Sequence, residues 1–123
     1  MQFNFIANTT LVSTSGRTLA VIDPSDGQPF DALQRSNAQD IDHAVHAARQ
    51  CLDAVWHKLA AAERGRLLMR LSATVQEHAD ELAALEQRDC GKPTRQARAD
   101  VQALARYFEF YAGACDKLHG ETI

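Results

Sequence analysis

The chain has 123 residues, 46% of them apolar and 24% charged, with a net charge of −3 at pH 7. That length suits one domain with a core of its own, or one piece of a larger fold, and the mild acidity argues against nucleic-acid or anionic-membrane partners, which leave a basic footprint. No apolar run approaches the roughly 20 residues that span a bilayer, and the start, MQFNFIANTT, lacks the basic and apolar regions of a secretory leader.

Taken in chain order, FNFI, TTLVS and RTLAVID are short β-prone runs, punctuated by Asn8 and by Thr14-Ser15-Gly16. DPSDGQPF is a turn: Pro24 fixes φ, Gly27 accepts a positive φ, and Asp23, Ser25 and Asp26 can bond the local backbone. FDALQ reads as one more strand, so residues 1–35 are expected to be strands and turns. From Ser36 the period becomes helical. Ser36 with Gln39 predicts a capping box, Asp40 adds a carboxylate to the first turn, and Ile41, Ala44, Val45, Ala48, Leu52, Val55 and Trp56 form one apolar stripe over 36–58. His43 and His46 lie on the opposite, wet face.

A second helix is predicted over 62–89, with the stripe Leu67, Leu68, Leu71, Val75, Leu82 and Leu85 and with His78 inside it. Ala60 offers no cap, so that end is expected to fray. Gly91 and Pro93 stop the helix. The third helix spans 93–119, where Pro93 suits a first turn. Its apolar residues, from Ala97 and Val101 through Leu104, Tyr107, Phe108, Phe110 and Tyr111 to Leu118, cover nearly half the circumference. A stripe that wide needs more than one neighbour.

Few side chains suggest chemistry. Cys115 and His119 stand at the i, i+4 spacing of two metal ligands, but no second pair joins them, and a small buried thiol near a helix end is the better reading. Cys51 reads as core packing, and Cys90 sits in a loop beside Lys92. Three widely spaced cysteines without a CxxC pair suit reduced thiols in a cytoplasm. His78 reads as a partly buried, hydrogen-bonded histidine. The six glycines form no phosphate-cradling motif. The residues alone supply no catalytic constellation.

Several blocks carry a resemblance. VIDPSDGQPF resembles N-P-x-[TS]-G-x-x-[IF], with Asp23 where Asn is usual. DIDHAVHAAR, VWHKLAAAERGRLLMRL, ELAALEQRDCGKP and RYFEFYAGACDKLHGETI follow in the same order. Together they resemble the N-terminal portion of the aldehyde dehydrogenase superfamily. The resemblance implies a mainly α chain, N-terminal β strands followed by three long helices, that is part of an α/β Rossmann-like fold. Residues 1–123 would be the N-terminal part of its cofactor-binding domain, with the catalytic domain absent. A parent of that kind oxidises aldehydes to carboxylic acids with NAD or NADP, through a cysteine in a G-Q-x-C segment and a general base in E-L-G-G-K. Neither segment occurs here, so no catalytic or cofactor-binding residue is assigned. The chain alone is expected to be structural and non-catalytic, and to bind no cofactor tightly. Its partners would be the remainder of the fold and further copies in a homo-oligomer, with no nucleic acid and no membrane. A stand-alone helical interaction module derived from the family is the alternative. One departure, Asn8-Thr9-Thr10 in place of G-x-W, is expected to perturb the first hairpin.

Asp89 raises a separate question. Its phase puts it on the apolar stripe at a helix C-terminus, where burial and the helix dipole both oppose a negative charge. The resemblance implies a monovalent cation held by the carbonyls of Val21 and Ile22 and by Asp89. The plainer expectation is that Asp89 accepts backbone N–H bonds from Gly91 and Lys92.

Overall fold

The computed structural model describes residues 1–120, and the end of the last resembling block, 121–123, lies outside them. The chain divides into two compact units, Met1–Lys58 and Leu59–Ile123.

The first unit opens with an antiparallel hairpin, β1 (Asn4–Ile6) and β2 (Thr9–Leu11), paired Asn4 to Leu11 and Ile6 to Thr9. Its two turn residues, Ala7 (φ 51°) and Asn8 (φ 61°), both occupy the left-handed region, which a tight two-residue hairpin turn requires. Asn suits that region; Ala does not, and the ladder holds it there. The expected perturbation of this hairpin is therefore confined to the turn, and the strands pair. A second hairpin joins β3 (Thr18–Ile22) to β4 (Pro29–Gln34), with an irregularity in register between Val21 and Ile22. Its turn is built as the sequence implies. The Asp23 carboxylate accepts from the Ser25 backbone at 2.9 Å, Gln28 N–H donates to Asp26 at 2.8 Å, and Gly27 takes φ 71°. At the edge of β4, Gln2 exchanges backbone bonds with Ala32 and Gln34 at 2.7 and 3.1 Å.

Helix α1 runs over Ala38–Ala54. Its cap is Asn37, one residue later than expected, and the residue answering three positions on is Asp40 rather than Gln39: Asp40 N–H donates to Asn37 at 3.1 Å, and Asn37 N–H to Asp40 at 2.9 Å. The carboxylate wins because it also receives Ser13 Oγ at 2.6 Å and the Thr14 backbone and hydroxyl at 3.0 Å each. Asp40 is thus buried, and it ties the segment after β2 to the start of the helix. These hydrogen bonds, Ser13 first, hold its carboxyl well below the usual range. The predicted helix to residue 58 stops at Ala54 and gives way to a single 3₁₀ turn, Trp56–Lys58.

The second unit holds α2 (Ala61–Glu77), α3 (Ala79–Cys90) and α4 (Thr94–Ala114). The single helix expected over 62–89 is broken at His78, whose φ of −103° and ψ of 19° leave the helical region. Asp80 and Glu81 then sit in the first turn of a new helix, where its dipole favours them, and Glu81 also contacts the His78 ring at 3.1 Å. At the start of α2 the missing cap is replaced from within: Glu63 accepts the Ala60 N–H at 2.8 Å, and Arg64 donates to the Leu59 carbonyl at 2.6 Å. The third helix ends at Ala114, not at 119, and closes in a turn with Lys117 N–H on the Ala114 carbonyl at 3.0 Å.

The core of this unit is made of small residues. Val75, Ala83, Ala97, Val101 and Ala105 are buried, whereas Leu71 and Leu85, expected inside, are 42% and 54% exposed. Leu85, on α3, turns outward because the break at His78 resets the helical phase, and for Leu71 the reason is the close approach of α2 to α4. A Cβ on Gly65 would lie 2.7 Å from the Ala112 carbonyl oxygen, and Ser72 Oγ donates to the Ala105 carbonyl at 2.8 Å. Backbones this near leave no room for leucine in the seam.

Two glycines of this helix pair make a test. Gly65→Ala forces the helices apart, and overpacking of about 1–3 kcal/mol outweighs the gain of about 1 kcal/mol in helix propensity. A Cβ at Gly113 meets nothing within 4 Å, so Gly113→Ala stabilises by about 0.5–1 kcal/mol. Thermal melts followed by circular dichroism should move in opposite directions for the two variants.

Candidate functional site

The three residues expected to hold a cation are placed as follows. Val21 is half-buried and Ile22 exposed, at the irregular end of β3 just before the Asp23 turn. Asp89 lies in the last turn of α3, in the other unit. Its side chain is exposed and makes no hydrogen bond or ion pair among the described residues. The expectation of an inward Asp89 bonded to the following turn is thus corrected on both counts. The break at His78 resets the helical phase, so the inward face of α3 is Ala79, Leu82, Ala83 and Glu86. Gly91, in the left-handed region at φ 68°, sends its N–H to the Gln87 carbonyl at 2.9 Å, the usual closure of a helix end.

The turn's strongest interaction belongs to Lys92, which sequence reasoning had weighed only as a neighbour of Cys90. Its ammonium, half-buried between α3 and α4, donates to Asp100 at 2.6 Å and to Glu86. Those bonds, Asp100 first, push Lys92 above the usual lysine range and hold Asp100 below the usual carboxylate range. One cation therefore clamps two helices and their connection. The signal was present, since Lys92 stands between carboxylates on both sides, but only the packing of α3 on α4 brings them together.

Other sequence candidates lose their chemistry. Cys115 and His119 do not share a helix, because α4 ends at Ala114; Cys115 Sγ donates instead to the Tyr111 carbonyl at 3.2 Å. Cys51 is exposed rather than packed in a core, and Cys90, also exposed, bonds the Glu86 carbonyl at 2.9 Å. His78 is exposed at the helix break, not buried in a stripe. Among the described residues no group of three or more His, Cys, Asp or Glu could hold a metal, and no helix is long and apolar enough to cross a membrane.

Geometry thus leaves the kind of protein open, and comparison with known proteins decides it. The Aldehyde dehydrogenase family profile matches residues 11–123. The chain belongs to the aldehyde dehydrogenase family. It is 43% identical over 113 residues to the mitochondrial aldehyde dehydrogenase family 2 member B4 of Arabidopsis thaliana, covering 90% of this chain and 21% of that protein. It is 40% identical over 121 residues to aldehyde dehydrogenase [NAD(P)+] 2 of Saccharomyces cerevisiae, covering 97% and 24%. The crystal structure of a putative aldehyde dehydrogenase from Burkholderia cenocepacia superposes with a TM-score of 0.95 at 58% identity, over 98% of this chain and 26% of that one. The chain therefore spans about a quarter of the length of its relatives and corresponds to an N-terminal portion of a Rossmann-like fold.

Two predictions concern charge. Lys92→Met should lower Tm by about 3–6 °C at pH 7, by leaving two carboxylates facing each other. Asp100 is depressed, so its contribution is present above the ordinary carboxylate pKa near 4 and is lost as pH falls below it. The gap between wild type and variant should therefore narrow below about pH 4. Asp89→Ala, by contrast, should change stability by less than about 0.5 kcal/mol in a medium free of small monovalent cations, as suits an exposed residue. A larger loss there would mean that the carboxylate has partners in the folded chain.

Proposed function

We propose that this chain is the N-terminal scaffold of an NAD(P)+-dependent enzyme that oxidises aldehydes to carboxylic acids, and that it is non-catalytic by itself. The observation that carries this reading is the match over nearly the whole chain to about a quarter of each relative. The residues present do not fit the nicotinamide cofactor. The positive-φ glycines Gly16, Gly27 and Gly91 each serve an isolated turn, and none opens a helix after a strand, as a pyrophosphate-binding turn must. Cofactor and catalytic groups belong, on this reading, to the rest of the fold. The chain's own work is positional: the Asp40 network orders the entry to α1, and the Lys92 clamp orders the α3–α4 connection.

The Val21, Ile22 and Asp89 cation site is part of the same proposal. An exposed carboxylate without a protein partner among the described residues is free to meet an ion, and carbonyl and carboxylate oxygens suit a hard cation. A cytoplasmic setting and assembly into homo-oligomers complete the reading, the first resting on three thiols with no CxxC spacing.

Activity tests the main claim. The purified chain should form no NADH from NAD+ and acetaldehyde, whereas residues 1–123 joined to the remainder of the Burkholderia cenocepacia relative should support aldehyde-dependent NADH formation. NADH from the chain alone would overturn the reading. For the cation, potassium chloride should raise Tm above that in choline chloride at equal ionic strength, and Asp89→Ala should abolish the difference. Equal melting in the two salts would remove the site.

A further inference from the structure

We propose that Asp26–Gly27 is a site of spontaneous isoaspartate formation, which the β3–β4 turn holds closed and local opening of that turn releases. This chemistry is the chain's own and owes nothing to its family role. Aspartate cyclises onto the next main-chain nitrogen most readily when glycine follows, because glycine has no Cβ to obstruct the ring. The chain contains one such pair: no other Asp or Asn is followed by glycine. Both residues are exposed at the tip of the turn, so water reaches them. A Cβ at Gly27 would meet nothing within 4 Å, so no neighbouring side chain screens the pair.

The reaction is a dehydration followed by a hydrolysis. The Gly27 nitrogen attacks Cγ of the protonated Asp26 side chain. An N–Cγ bond forms, the Cγ–OH bond breaks, and the hydroxyl leaves as water with the proton of the Gly27 N–H. Water then adds to either carbonyl of the five-membered imide. Addition at Cγ restores aspartate. Addition at the main-chain carbonyl breaks that carbon's bond to nitrogen and leaves the chain running through Cβ and Cγ. Nothing is oxidised or reduced, and water is the one molecule lost and regained.

The folded turn opposes the first step twice. The Gly27 N–H that must be given up is donated to the Asp23 carbonyl at 2.8 Å. The Asp26 carboxylate is anchored to a different nitrogen, accepting from the Gln28 N–H at 2.8 Å. A third bond, from the Asp23 N–H to the Gln28 carbonyl at 2.9 Å, closes the loop around both. Pro24, with its fixed φ, and the Ser25 bonds to the Asp23 carboxylate stiffen the near side. Cyclisation therefore waits for the turn to open, and its rate follows the open fraction. The product cannot close again. One extra main-chain atom between Asp26 and Gly27 displaces the Gly27 N–H from Asp23, just ahead of the Ile22–Pro29 pairing.

Ageing at pH 7.4 and 37 °C tests this, with isoaspartate counted by an isoaspartate-specific methyltransferase and S-adenosylmethionine and placed by peptide mapping. Residues 1–123 are compared with the peptide of residues 21–30, each with and without Pro24→Gly, and with Asp26→Glu in the whole chain. The peptide should form isoaspartate at position 26, and the folded chain should do so at least about tenfold more slowly. Pro24→Gly, which frees φ on the near side of the turn, should speed the chain at least about threefold and the peptide by less than about twofold. Asp26→Glu, which would need a six-membered ring, should stop the reaction. A chain that ages as fast as the peptide, a chain unmoved by Pro24→Gly, or isoaspartate confined to other positions would each overturn the proposal.

Discussion

The approach of α2 to α4 through a seam of glycine, serine and alanine is the constraint on which the second unit depends. At Gly65 the partner backbone comes so near that a single added carbon would collide with the Ala112 carbonyl. Ser72 uses the same proximity to reach the Ala105 carbonyl at 2.8 Å, so the one polar group in the seam is satisfied. Close packing of small residues gives dispersion contacts and a fixed register, but it buries little apolar area for each residue. The leucines and aromatic rings that would normally supply that area are displaced outward. The interior of this unit is consequently poorer in large side chains than its surface, the reverse of what a self-sufficient domain shows.

Charge plays a complementary part. Asp40 in the first unit and Lys92 in the second each sit where several chain segments meet, and each is held by short hydrogen bonds. Both act at helix ends, where backbone groups and dipoles would otherwise be unmatched. A polar junction bonded from several segments at once tolerates few alternative geometries, so these two residues specify where the helices begin and turn.

Much of this was legible in the residues. DPSDGQPF states its own turn, because Pro, Gly and two Asp leave the backbone few options, and the family blocks identify the fold of which the chain is a part. The rest depended on neighbours. Helical period alone cannot tell the stripe that packs inside a unit from one that waits for a further layer, so Leu71 and Leu85 were expected inside while Ser72 and Ala83 took the interior. Nor does periodicity register a one-residue break, and the interruption at His78 shifted the phase of everything up to Cys90, turning Asp89 outward. Asn37 displaced Ser36 as cap only because Ser13 and Thr14, more than 20 residues earlier, fix the Asp40 carboxylate. Lys92 was overlooked for the same reason: its two partners lie six and eight residues away, at no helical spacing, and meet only when α3 folds back on α4.

The outward-facing rings of α4 also bear on synthesis. In a protein of its relatives' length, this segment emerges from the ribosome with on the order of 370 residues still to come. At 5–20 residues per second that is a delay of roughly 20–75 s, far longer than the microseconds in which its helices form. During that interval the exposed Tyr107, Phe110 and Tyr111 face the crowded cell. Aromatic surface left open for that long is an aggregation liability that grows with the length of the delay.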